Sequence, residues 1–321
     1  MSPNASPGPP GHHSDWGEGL GAMAWLSRAT ARLAAGGVAS PRAEARRLLA
    51  VVAAVPSNQV ELLDGVTAPQ LAELERLTAE RLAGRPLQHV IGRAAFRTIE
   101  VAVGPGVFIP RPETEAMVGW VLDQLVQDDA TAPGSGAAAG LVDVAPVAAD
   151  LDDWPKVVEL GAGSGAISLA LAAERPGLRL WAVENSPAAL AYLIRNTADS
   201  PVTVVAQDLA QALPELDATV DQVVSNPPYI PAAAWEALPS EVRDFDPTVA
   251  LLGGADGLAV VRQVAATAAR LLRPGGRVAC EHDDDQGVSA PAVFRAAGFT
   301  ALADHLDLAG RPRFLTAVWP G

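Results

Sequence analysis

The sequence VVELGAGSGAISLALA, residues 157–172, places an apolar strand, a glycine-rich turn and a helix in immediate succession. The β-branched run at its start predicts a buried strand over residues 156–160. Gly161, Gly163 and Gly165 let the following backbone bend and approach a ligand where larger residues would collide. Their spacing, G-x-G-x-G, is one residue short of the dinucleotide-binding pattern, and no residue replaces the missing third glycine. The segment therefore predicts a nucleotide-binding α/β fold, with NAD as the weaker choice of ligand.

Strands and helices continue to alternate after this segment. Further strands are predicted over residues 178–184, 202–206, 219–225 and 276–281, and helices from about 166 and over 187–197, 257–272 and 291–297. Alternation of this kind predicts a doubly wound parallel sheet. Two further strands, 299–306 and 313–319, have no helix between them. They predict an antiparallel hairpin at one edge of the sheet.

Acidic residues stand where the second and third strands of this region end. Glu184 ends the strand in LWAVENS, where an acid hydrogen-bonds ribose hydroxyls in nucleotide-binding α/β folds. Asp208 ends the next strand and can accept a hydrogen bond from an adenine amino group, with Leu209 beside it to pack on the ring. Either acid alone is as easily explained as a solvated surface group. Together with the glycine loop they predict an adenosine-containing cofactor lying across the sheet.

A polar segment, Ser225-Asn226-Pro227-Pro228-Tyr229, follows the apolar strand ATVDQVV. The two prolines stiffen the backbone and remove two N–H donors, so the loop offers mainly acceptors. Such a loop suits a planar NH2 group, on which the Tyr229 ring can stack. Alone, the same string also occurs as a proline-rich turn. Beside the predicted cofactor site, it predicts a site for an amino or amide group.

The chain divides into five predicted regions. Residues 1–15 are expected to be a disordered tail, and residues 16–92 a helical bundle whose default role is recognition or scaffolding. Residues 93–126 contain a β-hairpin and a connecting helix that is expected to end near Val126. Residues 127–154 are rich in Ala, Gly and Asp and are expected to be a flexible insertion. Residues 155–321 form the α/β domain.

Composition limits the classes of function. The 321 residues carry a net charge of −14, which argues against nucleic acid as the main partner. The chain has one cysteine, Cys280, which cannot form an internal disulfide. We therefore expect the protein in a reducing compartment. No apolar run is long enough to span a bilayer, and the N-terminal residues lack the basic and apolar regions of a signal peptide. We therefore expect a cytoplasmic monomer.

The α/β domain resembles the class I S-adenosylmethionine-dependent methyltransferases. From about residue 20 the whole chain resembles the release factor glutamine methyltransferase family. The motifs that carry this resemblance are RPLQ (85–88), IPRPETE (109–115), GAGSGAI (161–167), SNPPYI (225–230), ALLGGADGL (250–258) and DLAGRPRF (307–314). The NPPY string alone would also include adenine and cytosine amino methyltransferases. In combination with IPRPETE, the string is specific to the glutamine methyltransferase family.

The resemblance implies a fold and a set of roles. The fold is a Rossmann-like, mostly parallel seven-stranded sheet with an antiparallel edge hairpin, preceded by a helical substrate-recognition domain. S-adenosylmethionine is expected to bind Gly161, Ala162, Gly163, Ser164, Gly165, Glu184, Asp208 and Asn226. The substrate amide is expected to bind Asn226, Pro227, Pro228 and Tyr229, the implied catalytic residues. The implied substrate is the Gln of the Gly-Gly-Gln motif in class I peptide chain release factors.

Three other functions remain compatible with the residues. They are glutamine methylation of a ribosomal protein, N6-adenine or N4-cytosine methylation of nucleic acid, and a non-catalytic binding module with the same fold. The net charge disfavours nucleic acid, and the intact glycine loop and NPPY string disfavour the binding module. The sequence separates the two protein substrates only by family likeness.

The chain departs from the family at Glu281-His282-Asp283-Asp284-Asp285, where the family has Glu-Ile-Gly. An acidic cluster can bind a metal ion. Because no second cluster of ligands accompanies it, we expect these residues to be solvated and to hold no metal. The region 127–154 is also longer than the family needs, which puts no predicted catalytic residue in doubt.

Overall fold

The computed structural model describes residues 21–131, 154–307 and 309–321, and the chain divides into two compact units between Ile91 and Gly92. The predicted tail, residues 1–15, and most of the predicted insertion, residues 132–153, lie outside the described residues. In the part of the chain that is described, no helix combines the length and the hydropathy needed to cross a membrane.

The first unit is helical. Its helices are α1 (Ala22–Ala35), α2 (Pro41–Ala53), α3 (Ala68–Leu82) and α4 (Leu87–Ile91), with a 3₁₀ turn at Ser57–Leu62. Helix α3 begins with a capping box, in which Thr67 accepts from the Gln70 backbone N–H and the Gln70 side chain accepts from that of Thr67. Large apolar side chains from the three longer helices form one core, among them Trp25, Leu26, Leu33, Leu48, Leu49 and Leu74. The predicted helical region is therefore present.

The second unit is built on a seven-stranded sheet. Its strands are β3 (Lys156–Leu160), β4 (Arg179–Glu184), β5 (Val202–Ala206), β6 (Val220–Ser225), β7 (Leu272–Glu281), β8 (Thr300–Leu306) and β9 (Pro312–Val318), preceded by a hairpin of β1 (Arg93–Phe96) and β2 (Ile99–Ala102). The sheet order is β5-β4-β3-β6-β7-β9-β8. The first five strands of that order are parallel, and β9 is antiparallel to both of its neighbours. The predicted doubly wound sheet with an antiparallel edge is confirmed.

Helices cover both faces of this sheet. They are α5 (Thr114–Thr131), α6 (Ala166–Glu174), α7 (Pro187–Thr197), α10 (Ala259–Leu271) and α11 (Ser289–Ala296). Two four-residue helices, α8 (Ser240–Arg243) and α9 (Thr248–Leu251), lie in the connection between β6 and α10. Val157 packs in the core with α5, α6 and α7, whereas its neighbour Val158 packs with α10 and α11. Successive side chains of a strand point to opposite faces, so one strand serves two cores. The chain reverses direction across the sheet between β3 and β6, and ligands bind at such switch points.

The hairpin β1–β2 and helix α5 are part of this second unit. Phe96 is fully buried in the core with α5, α6 and α7. Arg97, in the hairpin turn, donates to both carboxylate oxygens of Glu174 at 2.7 and 2.6 Å and to the Glu115 carbonyl at 2.8 Å. The predicted end of α5 near Val126 is wrong, because the helix continues to Thr131. Asp128 on its last turns pairs with Arg277 at 2.6 Å.

Candidate active site

A cavity of about 580 Å³ opens at the carboxyl ends of β3, β4, β5 and β6. All but one of the predicted site residues line it, namely Gly161, Ala162, Gly163, Ser164, Glu184, Asp208, Asn226, Pro227, Pro228 and Tyr229. The exception is Gly165, the N-cap residue of α6, which does not line the cavity. A Cβ added at Gly165 would lie 2.6 Å from Leu193 Cδ1. Because parallel strands end at one edge of the sheet, residues far apart in sequence meet there.

The glycine loop has a backbone that other residues rarely adopt. Gly161 and Gly163 have φ of +74° and +58°, and a Cβ added at either would meet no described atom within 4 Å. Glycine is therefore required at both positions by the left-handed backbone rather than by crowding. The backbone N–H groups of Gly161 and Ala162 both donate to the Val183 carbonyl at 2.9 Å, which fixes the loop against β4.

Two carboxylates stand beside this loop. Glu184 accepts hydrogen bonds from the backbone N–H groups of Gly163 at 2.8 Å, Asn185 at 2.9 Å and Ser186 at 2.8 Å. Asp208 is exposed and accepts from Asn185 Nδ2 at 3.2 Å. A carboxylate has about four acceptor positions, so Glu184 is held firmly and can still accept from a ligand hydroxyl. The arrangement suits a ribose beside the glycine loop.

Replacing Glu184 by Ala is expected to weaken S-adenosylmethionine binding by about 1–3 kcal/mol, because the Gly163 N–H and the ribose hydroxyl expected beside it would lose their acceptor. Titration calorimetry measures this loss. Glu215→Ala removes the same charge from an exposed position outside the cavity and is the matched control. Equal affinities for the Glu184 variant and the wild type would remove Glu184 from the cofactor site.

A chain of hydrogen bonds runs behind the NPPY residues. Asn226 Nδ2 donates to Thr114 Oγ1 at 3.1 Å, and that hydroxyl donates to Glu281 Oε2 at 2.7 Å. The Tyr229 hydroxyl donates to the other carboxylate oxygen, Glu281 Oε1, at 3.2 Å. Thr114 is the first residue of α5 and Glu281 the last of β7, and both are buried. One carboxylate thus connects the two ends of the NPPY string.

The expectation of a solvated cluster at residues 281–285 is wrong for its first two members. Glu281 is 1% exposed, and His282 is fully buried, with its ring nitrogens 2.7 Å from the Asp283 carbonyl and 3.0 Å from Asp304 Oδ1. Asp284 and Asp285 are exposed, as expected. Within residues 21–131, 154–307 and 309–321, no group of three or more His, Cys, Asp or Glu side chains is arranged to hold a metal ion.

The NPPY backbone is held by the segment ALLGGADGL, residues 250–258. Ile230 N donates to the Leu251 carbonyl and Gly253 N to the Ile230 carbonyl, both at 2.9 Å. The Tyr229 carbonyl accepts from Gln286 Nε2 at 3.0 Å. A Cβ added at Gly257 would overlap the same Tyr229 carbonyl oxygen. Glycine at this position therefore allows two backbone segments to approach closely.

Glu159 was not predicted as a site residue, yet it lines the cavity beneath the glycine loop. Its Oε2 accepts from the Ser168 N–H at 2.9 Å and from the Ser168 hydroxyl. Burial raises the pKa of Glu159 to about 7, against the effect of the Ser168 hydrogen bonds, and the charge of Glu184 adds to the rise. In the sequence, Glu159 could have been recognised as a site residue only because it is an acid inside an apolar strand.

Arg111 and Asp246 form an ion pair at the cavity wall, with Arg111 Nη2 2.6 Å from Asp246 Oδ2. Arg111 also lies over the Phe108 ring, 5.0 Å from its centroid. Asp246 is buried, which raises its pKa, while Arg111 opposes the rise. The pair attaches the segment between Ile230 and Leu251 to the IPRPETE motif. Arg111 was not predicted as a site residue, although it stands between two prolines in the sequence.

Family models match both units of the chain. The model described as "PrmC N-terminal domain" matches residues 24–92, and that described as "Methyltransferase small domain" matches residues 144–238. Two proteins named release factor glutamine methyltransferase are 45% identical to the chain, from Streptomyces coelicolor (92% of this chain, 97% of the relative) and Mycolicibacterium smegmatis (91% and 96%). A Streptomyces pristinaespiralis protein, 36% identical (85% and 87%), is named 4-amino-L-phenylalanine/4-methylamino-L-phenylalanine methyltransferase.

Proposed function

Because this chain belongs to the release factor glutamine methyltransferase family, we propose that it transfers a methyl group from S-adenosylmethionine to the side-chain amide nitrogen of a glutamine in a class I peptide chain release factor. The glutamine is that of the Gly-Gly-Gln motif. The reaction takes place in the cytoplasm and supports translation termination.

The orientation of the Asn226 side chain is the main structural support for this proposal. Its NH2 group is engaged by Thr114, so its oxygen remains to accept an N–H from a substrate on the cavity side. Pro227 and Pro228 have no N–H, so the adjoining backbone supplies carbonyl acceptors and no competing donors there. A primary amide, which has two N–H donors on one planar nitrogen, is the complementary group.

The cofactor supplies an electrophilic methyl group on a sulfonium. The amide nitrogen is a poor nucleophile because its lone pair is delocalised over the carbonyl. Hydrogen bonds from its two N–H groups to Asn226 Oδ1 and the Pro227 carbonyl would raise the electron density on nitrogen and aim it at the methyl. Holding the two groups in attacking geometry can lower a barrier by roughly 7–11 kcal/mol. Bound in this cavity, S-adenosylmethionine would supply the methyl group and leave as the neutral thioether, and the methylated amide nitrogen would give up one proton to water.

The residues of the cavity suit this cofactor. We assign Glu184 to the ribose and Asp208 to the adenine, since both line the cavity together with Leu209. Glu184 and Asp208 give the cavity an acidic lining, which favours a ligand that carries a sulfonium and an ammonium group. The left-handed glycine loop leaves room for the rest of the molecule.

The direct test is to incubate a class I release factor with this protein and S-adenosylmethionine and to map methylation by mass spectrometry. We expect one added methyl group on the Gln of the Gly-Gly-Gln motif, and none on a release factor in which that Gln is replaced by Ala. Ribosomal proteins and 4-amino-L-phenylalanine are the comparison substrates. Preferred methylation of either would assign a different substrate to the same chemistry.

We further propose that the helical unit recognises the release factor. The cavity is lined only by residues between 96 and 263, so its described lining belongs to the second unit. A fragment of residues 92–321 is therefore expected to bind S-adenosylmethionine as the full chain does and to lose most of its activity on release factor. The fragment must start at 92, because Phe96, Val101 and Met117 belong to the core of that unit.

A short peptide containing Gly-Gly-Gln is the control substrate for this fragment. The full chain and the fragment are expected to methylate the peptide equally, because the peptide offers no folded surface to recognise. If the fragment methylates intact release factor as fast as the full chain does, the helical unit has no part in recognition.

A further inference from the structure

Two of the side chains predicted to hold the substrate, Asn226 and Tyr229, are connected by hydrogen bonds to the same buried carboxylate. Glu281 Oε2 accepts from Thr114, which accepts in turn from Asn226, while Glu281 Oε1 accepts from Tyr229. Burial raises the pKa of the Tyr229 hydroxyl, so this group keeps its proton and remains a donor. Each oxygen of the carboxylate therefore holds one end of the NPPY string.

The donors and acceptors of this chain fix its direction. An ionised carboxylate can only accept, so the single proton of the Thr114 hydroxyl points to Glu281. The Thr114 oxygen is then left as an acceptor, and only the NH2 end of Asn226 can donate to it. The Asn226 oxygen is consequently turned away from Thr114. A protonated Glu281 could donate to Thr114 instead, and Thr114 could then donate to the Asn226 oxygen, so the preference would be lost.

We propose that Glu281 is a positioning residue that acts through the Thr114 hydroxyl to present the oxygen of Asn226, and not its NH2 group, to the substrate amide. This inference rests on the proposed function, because it assumes that Asn226 accepts an N–H from the substrate. It concerns the direction of the hydrogen bonds, which a merely structural carboxylate would not need to control.

Charged groups of several elements face Glu281. Arg313 of β9 favours its ionised form, and Glu113, just before α5, disfavours it. Arg313 also pairs with Asp307 at 3.3 Å, and Asp283 lies near Tyr229. The adjoining His282 is directed to Asp304, and the other neighbour on β7 is the buried Cys280.

Burial is the largest influence on Glu281 and raises its pKa to about 7, while Thr114 and Arg313 oppose the rise. The sign of the pH dependence follows. Above this pH the carboxylate is ionised and accepts from both hydroxyls, so Asn226 presents its oxygen. As the pH falls through about 7 the group gains a proton and the orientation is lost. Turnover is expected to fall on the acid side.

The test measures kcat against pH from about 5.5 to 9 for the full chain and three variants, with release factor as substrate. Thr114→Val removes only the hydroxyl, and Thr114→Ser keeps it and is the matched control. Thr114→Val and Glu281→Gln are expected to lower kcat by roughly 10–100-fold, as loss of an orienting partner does. Both should flatten the pH profile and leave KM and cofactor affinity nearly unchanged. Thr114→Ser should retain the wild-type profile.

A second measurement needs no substrate. The side-chain NH2 resonances of Asn226, assigned with Asn226→Asp, should shift between pH 5.5 and 9 with a midpoint near 7 in the wild type and in Thr114→Ser. They should not shift in Thr114→Val. Resonances that stay constant with pH in the wild type would overturn the inference. So would a wild-type kcat and pH profile in Thr114→Val. A wild type that shows the shift without methylating release factor would contradict the proposed function alone.

Discussion

Asn226→Ala is expected to lower the rate of glutamine methylation by roughly 10²–10³-fold, the usual effect of removing one preorganised hydrogen-bonding group at a reacting centre. Folding and cofactor affinity should change little, because Asn226 lines the cavity and makes its described side-chain hydrogen bond to Thr114 alone. Single-turnover methylation of release factor measures the chemical step, and calorimetry measures cofactor binding.

Asn226→Asp is the matched variant, since it keeps the shape and an acceptor oxygen. It removes the NH2 that Thr114 accepts from, and it places a charge close to Glu281 and to the sulfonium. We expect cofactor binding at least as tight as in the wild type, with an amide that is wrongly aimed and a slow reaction. If Asn226→Ala methylates glutamine at a rate near that of the wild type, the loop is only a turn and the proposed mechanism fails.

Gly257→Ala is expected to lower kcat by at least about 10²-fold, because a displacement of about 1 Å at a reacting centre costs this much. The added Cβ would overlap the Tyr229 carbonyl and lie 2.6 Å from Gln286 Nε2, the two groups whose hydrogen bond fixes the NPPY backbone. The backbone at Gly257 also has φ of +74°, which is strained for alanine. Steady-state kinetics measures the loss of kcat, and thermal unfolding measures the loss of stability caused by the strained backbone.

The control for Gly257 separates strain from crowding. Gly177 has φ of +85°, and a Cβ added there would meet no described atom within 4 Å. Gly177→Ala should therefore lower stability by about 1 kcal/mol and leave kcat unchanged. If Gly257→Ala turned over as fast as Gly177→Ala, the close approach to Tyr229 would have no role in placing the NPPY backbone.

The regular elements were predictable because their hydrophobic pattern is local. The predicted strand 156–160 and helix 187–197 coincide with β3 and α7. Strand β7 begins four residues earlier than predicted, at Leu272, where pairing with Val220 extends it through a Pro-Gly-Gly sequence. Helices α8 and α9 were missed, since each has four residues, too few to show a helical period.

Part of the cavity lining was predictable from polar residues at or just after the ends of three parallel strands. Glu184, Asp208 and Asn226 were found in this way, and the shared edge of a parallel sheet brings them to one cavity. Thr114 and Glu281 were missed because their contact joins positions 167 residues apart, a distance at which a single sequence gives no information on pairing. Their direct hydrogen bond depends on where α5 lies against β7, which is decided by packing.

The position of β9 in the sheet affects how the chain folds while it is being synthesised. Strand β8 is synthesised before β9, yet β9 lies between β8 and β7. When β8 emerges, its hydrogen-bonding neighbour does not yet exist, and β7 still has a bare edge. Strand β8 therefore cannot join the sheet before β9 does. A chain terminated before Pro312 would therefore expose the edge of β7 and leave β8 without a neighbour, which makes it a candidate for aggregation.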